Sequence, residues 1–381
     1  MHSATHGREI TYLPPMLRYR FHIRLSALAS FCFAGLLMLF GACAPAPPIV
    51  LQIPDMADDG VWEDQARIDI AYLDGPEVEG RQTATRGFFR AAAYLSARMG
   101  ESGLQPVLVD EYRMQYAARL RRATDLSVQV IGEDTTVVRQ GNDFLVTGAP
   151  QPLDVSGTVP TLPVLDWIQW SEDIRIDMGS ESTWRMVAEV EAYVSTAPMH
   201  IVGMLPGADP VQRDSLTLIV APVDGAGLQG AESWTDGGDL TLPAAAVLSV
   251  MRRMASYQNR WSLYPESTMF SLLSGTRDGC LGPEQFLRNT PWDRSRISRI
   301  IVVTMQADAT CDWPGLLNGI ADDQAHAPNI VRFRAYAPFE AQAASGFGSW
   351  RMRSSMQQAD ALNRATTEAI RLAREIMAII P

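Results

Sequence analysis

The chain has 381 residues, a formal net charge of −11 and 47% hydrophobic residues, enough apolar material for a sizeable buried core. Its basic residues are all arginine, and no clustered basic patch of the kind phosphate binding needs occurs, which argues against nucleic acid as a partner. The same acidity argues against broad electrostatic docking on anionic lipid.

Residues 1–42 read as a targeting segment. Arg18, Arg20 and Arg24 form a basic stretch ahead of Leu25–Phe40, an apolar run shorter than the ~20 residues a spanning helix needs. Nothing before Met16 adds to this signal. The run closes on Phe40-Gly41-Ala42-Cys43, which resembles a bacterial lipoprotein processing site with Cys43 as the lipidated residue. The expected location is therefore the bacterial cell envelope, lipid-anchored and facing the periplasm or the exterior. The leader holds four Arg and one Glu, so the remainder carries −14. Residues 43–60, with Ala44-Pro45-Ala46-Pro47-Pro48, read as a stiff tether. Beyond the leader only Cys280 and Cys311 accompany Cys43. An exported compartment permits a disulfide between them, and free buried thiols are the equal alternative.

Residues 61–124 read as the first part of a globular domain. The turn-rich loop Gly80–Gly87 feeds a helix in which Phe88, Ala92, Leu95 and Met99 recur at helical spacing, stopped by Gly103 and Pro106. Residues 125–198 are strand-rich, with strands over Leu126–Ile131 and Phe144–Thr147, and form a β-rich insertion or reduced lid. Residues 199–381 alternate strand and helix. Leu216–Ala221 is a continuous apolar run, as a parallel strand covered on both faces would be. Ala244–Ala255 is helical, Thr268–Leu273 a strand, Pro283–Asn289 a short helix, Ile297–Met305 a buried strand and Ala359–Ile380 a long helix. The fold class is α/β, with a mostly parallel central sheet sandwiched by helices and a β-rich insertion.

Three motifs carry a family resemblance. They are Gly80-Arg81-x-Thr83-x-Thr85-x-Gly87, Leu205-Pro206-Gly207-x-Asp209-Pro210 leading to Pro222-Val223-Asp224, and the loop Gly275-Thr276-Arg277-Asp278-Gly279-Cys280-Leu281-Gly282. Together they resemble the di-zinc aminopeptidases, whose zinc-exopeptidase core also occurs in glutaminyl cyclases, glutamate carboxypeptidases and the transferrin receptor. The resemblance implies two zinc ions held by His and carboxylate ligands, with a Glu as general base.

Carried over by position, that site is degenerate. The first His is Pro222, which has no lone pair to offer, while the acid two residues on survives as Asp224. The bridging Asp survives as Asp239. The base is Thr276 and the adjacent ligand is Arg277, a cation that repels zinc. The remaining ligands correspond to Thr304 or Met305 and to Met356.

Other residues rebuild the site poorly. His200 is placed at the far end of its strand from the site, and His326 stands in an acidic loop with Asp322 and Asp323. Asp224, Asp236 and Asp239 suit a hard cation such as Ca²⁺. Trp234 and Trp313 are placed in loops near the site mouth. The expectation is a non-catalytic, metal-free, membrane-tethered protein that binds peptide or an envelope protein. One alternative is an active zinc aminopeptidase with an atypical site using Asp224, Asp239 and His326. The other is a purely structural envelope lipoprotein.

Overall fold

The computed structural model describes residues 59–380, apart from 109–110, 132–134, 139, 141–143, 147–148, 159–164, 166–167, 171–182, 230–231, 235–240, 291, 306–310, 312–314, 317–328 and 336–354. In chain order, helix α1 (Asp59–Leu73) and α2 (Arg86–Glu101) precede strands β1 (Gln105–Pro106) and β2 (Arg113–Gln115). An all-strand stretch follows: β3 (Ala118–Ile131), β4 (Thr135–Val138), β5 (Phe144–Val146), β6 (Leu153–Thr158), β7 (Ile168–Trp170), β8 (Thr183–Ser195) and β9 (Met199–Leu205). The remainder alternates: β10 (Leu216–Pro222), a hairpin of β11 (Gly227–Gln229) and β12 (Glu232–Trp234), α3 (Thr241–Trp261), β13 (Ser267–Leu273), α4 (Leu281–Arg288), β14 (Ile297–Met305), β15 (Asn329–Ala335) and α5 (Ser355–Met377).

The central sheet has seven strands in the order β1-β9-β13-β10-β14-β15, with β2 also on β9. Strands β13, β10, β14 and β15 are mutually parallel, whereas β9 lies antiparallel to β13. This is the mostly parallel α/β arrangement expected from the sequence. From β10 the chain crosses to β13 on one side and then to β14 on the other. The carboxyl ends of β10 and β14 therefore flank a topological switch point, where open α/β sheets place their ligands.

Every residue of β10 and of β13 is buried, which explains their unbroken apolar runs. Successive side chains alternate between faces. Ile219 and Ala221 pack with Leu95, Val247, Met251 and Ile376, so α2, α3 and α5 cover one face. Leu218 and Val220 pack with Phe286, Leu287 and Val302, so α4 covers the other. Helix α5 contributes its stripe Ala365, Ala369, Leu372 and Ala373, and among the described residues no helix is long and apolar enough to cross a membrane.

Helix α2 starts where Thr85, in extended conformation, accepts a bond from the Phe88 amide at 3.3 Å through its side chain. The buried stripe Phe88, Ala91, Ala92, Leu95 and Met99 then carries it against β9 and β10. Thr85→Ala should lower stability by about 1 kcal/mol, as N-cap losses do, measurable as an earlier urea midpoint. A smaller or absent shift would mean that packing of the stripe alone sets this helix start.

Strands β3, β4, β6 and β8 form a separate antiparallel sheet in the order β4-β3-β8-β6, with β5 and β7 pairing beside it. Its own core is Val128, Val130, Phe144, Ile168, Trp184 and Met186. Strand β3 begins at Ala118 rather than at Leu126, because its first half alternates buried Ala118 and Leu120 with exposed Arg119 and Arg121. The charged faces hid its period. Helix α1 was not anticipated either, although Ala66, Ile70 and Leu73 form its buried stripe.

Candidate functional site

Strand β10 ends at Pro222, level with Leu273, the last residue of β13. The ladder continues one step, with the Val223 amide donating to the Leu273 carbonyl at 2.9 Å. The next residue, Asp224, turns inward and is 1% exposed. Its carboxylate is filled by four donors. Thr83 Oγ1 donates to Oδ2 at 3.1 Å, and the Arg277 amide donates to the same oxygen at 3.3 Å. The Thr276 amide donates to Oδ1 at 3.3 Å, and the Thr276 hydroxyl donates there as well. Burial nevertheless pushes the Asp224 carboxyl above the usual carboxylate range, against the pull of these bonds.

Thr83 joins three loops through one hydroxyl, because it also accepts from the Gly275 amide at 2.9 Å. Arg81, 1% exposed and in left-handed backbone conformation, clamps the same junction. Its Nε donates to the Val223 carbonyl at 3.1 Å, its carbonyl accepts from the Gly225 amide at 3.1 Å, and its Nη1 donates to the Leu73 carbonyl. The loop after β13 is held just as closely. A Cβ on Gly282 would stand 1.7 Å from the Ser274 carbonyl oxygen, and one on Gly275, at φ 71°, would stand 2.5 Å from Tyr116 Oη. Only glycine permits these approaches. A disulfide between Cys280 and Cys311, with Cα atoms 5.2 Å apart, ties this loop to the segment after β14.

Asp278, half-buried, follows Arg277 on the same loop. Its carboxyl is pushed up to about 7, first by burial and then by the negative charge of Asp224, with Thr83 and Arg122 pulling the other way. Between Asp224, Asp278, Arg277 and Gln82 lies a crevice of about 10 Å³, walled by Val146 of β5. That is room on the order of one water. The two-stranded pair β5–β7 thus supplies one wall of the site.

The structure brings Pro222, Asp224, Thr276 and Arg277 together. Thr304 lies two residues beyond Val302, as Pro222 lies two beyond the paired Val220, so both sit at the same end of adjacent strands. Met356 opens α5, but its side chain lies outside the described residues, as do Cys43, Asp236, Asp239, Trp313 and His326. Trp234 is in strand β12 rather than in a loop.

His200 requires a correction. It is not at the far end of its strand from the site, because β9 runs antiparallel to β13 and so begins where β13 ends. The ring is fully buried, stacked on Tyr116 with centroids 4.4 Å apart, and its Nδ1 accepts from the Ser274 amide at 3.4 Å. Burial lowers its pKa to about 3, so the imidazole stays neutral. Tyr116 Oη in turn lies 3.0 Å from Ser274 Oγ, which donates to the Met199 carbonyl at 2.9 Å. Sequence alone held no signal for this pair, since only antiparallel pairing brings them to the site. Asp278 could have been found, as an acid inside the same glycine-rich loop.

Among the described residues, no group of three or more His, Cys, Asp or Glu could hold a metal ion. Those at the strand ends do not fit zinc. Pro222 offers no donor, both oxygens of Asp224 are occupied by hydrogen bonds, and Arg277 brings a cation.

No family model matches the chain, and no curated protein matches it. Solved structures are similar to it. A zinc aminopeptidase from Bacillus subtilis shares 11% identity across 81% of this chain and 94% of its own, with a TM-score of 0.44. An aminopeptidase from Aneurinibacillus sp. strain AM-1 shares 10% across 82% and 93%, with a TM-score of 0.43. A Porphyromonas gingivalis glutaminyl cyclase shares 12% across 82% and 98%, with a TM-score of 0.38. Identities at this level assign no residue roles.

Proposed function

We propose that this is a lipid-anchored envelope protein of zinc-exopeptidase-like build that binds peptide or an envelope protein at its strand ends and does not cleave it. The observation that carries the reading is the state of Asp224. In the aminopeptidases that the motifs resemble, the acid at this position supports a metal-bound imidazole. Here Pro222 leaves no imidazole to support, and the carboxylate is spent on the loop that holds Thr276 and Arg277. The chemistry left at the site is hydrogen bonding and charge: a guanidinium, a titratable acid and a Gln side chain around a crevice too small for a substrate side chain. A peptide is therefore held across the surface of the cleft.

Metal analysis of the purified full chain, run beside hydrolysis of aminoacyl-p-nitroanilides, tests this. We expect zinc well below one equivalent and no hydrolysis that a chelator suppresses. Stoichiometric zinc with chelator-sensitive turnover would overturn the reading and establish an active enzyme with an atypical site. Immobilised chain exposed to a peptide library should retain specific peptides; retaining none would leave a structural envelope role.

A further inference from the structure

Strands β3 and β8 outrun the sheet they belong to. Strand β4 pairs with β3 only over residues 128–131, and β6 pairs with β8 only over residues 183–188. Past those partners, residues 118–123 and 190–195 run on together as a two-stranded antiparallel ribbon. Directly opposite side chains in such a pair share a face, and the faces alternate along each strand. The face of Met186, Ala188 and Val190 therefore continues into Ala192 and Val194. Opposite these five, in the same order, stand Val128, Leu126, Ala123, Arg121 and Arg119. Within the sheet this face is apolar and covered, because Phe144 of β5 and Ile168 of β7 pack with Val128 and Met186. Along the ribbon Arg119, Arg121 and Ala192 are exposed, and Val194 is 74% exposed.

The charge on this face is one-sided. Other exposed arginines hold a carboxylate, Arg185 on Asp154, Arg288 on Glu284 and Arg296 on Asp214. Neither Arg119 nor Arg121 has an ion pair or a side-chain hydrogen bond among the described residues. The acids nearest on the ribbon, Glu189 and Glu191, alternate onto its other face, Glu191 opposite Arg122. That other face is the one turned to the strand-end loops, since Arg122 Nη2 donates to the Thr83 carbonyl at 3.3 Å.

The spacing identifies the partner. Side chains two apart on a strand repeat every ~6.6 Å, the same repeat that alternate side chains have in any other extended chain. A guanidinium takes a carboxylate through two parallel hydrogen bonds. Two cations beside an exposed valine on a narrow ribbon suit acids carried on a peptide, whereas a nucleic acid or an anionic membrane needs a wider cationic field. We propose that this ribbon face docks an extended acidic segment of a partner protein, with carboxylates at alternate positions on Arg119 and Arg121 and an apolar side chain on Val194. The proposal stands independently of the reading of the strand-end site, which lies on the ribbon's other side.

Fluorescence anisotropy of a labelled Glu-Thr-Glu-Thr-Val-Thr peptide with the full chain tests this, beside the same peptide with Gln for Glu. The acidic peptide should bind saturably, about tenfold or more tighter than its Gln counterpart, and more weakly as salt is added. Arg119→Glu and Arg121→Glu should each weaken it about tenfold or more at an unchanged melting temperature, because both side chains are exposed and unpaired. Arg67→Glu, at an exposed position of α1, changes the net charge equally and should leave binding as it was. No saturable binding, equal affinity for the Gln peptide, undiminished binding by both ribbon variants, or the same loss with Arg67→Glu would each overturn the proposal. Capture by phosphatidylglycerol vesicles that the ribbon variants release, without peptide binding, would overturn it in favour of a lipid surface.

Discussion

Replacing Asp224 by alanine should destabilise the protein by about 4 kcal/mol, the scale of breaking a fully buried charged network. The side chain is 1% exposed and receives four hydrogen bonds from Thr83, Thr276 and the Arg277 amide. Truncation orphans all four donors in a volume that admits about one water. Asp224→Asn should cost about half as much, because its amide oxygen can still serve the Thr276 donors while its NH₂ confronts those on the other side. Urea unfolding of the three proteins at one pH measures the series. A loss below about 1 kcal/mol for alanine would show that the carboxylate does not anchor the loop, and the binding-only reading would lose its main support.

Much of this architecture was legible because its period is local. The continuous apolar run of β10 and the 297–305 strand needed no tertiary information, since strands buried on both faces write their burial directly into sequence. Helix α2 announced itself through its stripe and through the Gly and Pro that follow. What stayed hidden depends on pairing between distant segments. The first half of β3 is masked by Arg119 and Arg121, which only an antiparallel partner such as β8 makes sense of. His200 was misplaced for the same reason: strand direction in the sheet, not residue identity, decides which end of β9 meets the site. At the site, the resemblance to the di-zinc aminopeptidases singled out Pro222, Asp224, Thr276 and Arg277. It did not reveal that Thr83 would complete the carboxylate's shell, since 141 residues separate that pair.

Asp278 makes the same site pH-sensitive, and the sign follows from its raised carboxyl. Its value in the folded protein is about 7, against 3.8 for an ordinary aspartate, because burial and the neighbouring Asp224 charge both disfavour ionisation. The folded state therefore holds this proton more tightly than the unfolded chain. The stability it contributes is fully present below 3.8 and is lost as pH rises through about 7. With a discount for the partial exposure of the side chain, the loss should total about 2–3 kcal/mol. Asp224 shifts in the same direction, so the two acids titrate as a pair and the fall should be broad rather than a single step. Asp278→Asn keeps the shape and removes the titration. It should be more stable than the unmodified chain at pH 8 by about 2–3 kcal/mol, and nearly equal to it at pH 4. Chemical denaturation at those two pH values measures the difference. Equal stabilities at pH 8 would mean that Asp278 ionises freely in the folded protein, and that the crevice beside Asp224 is open to water rather than closed by Val146.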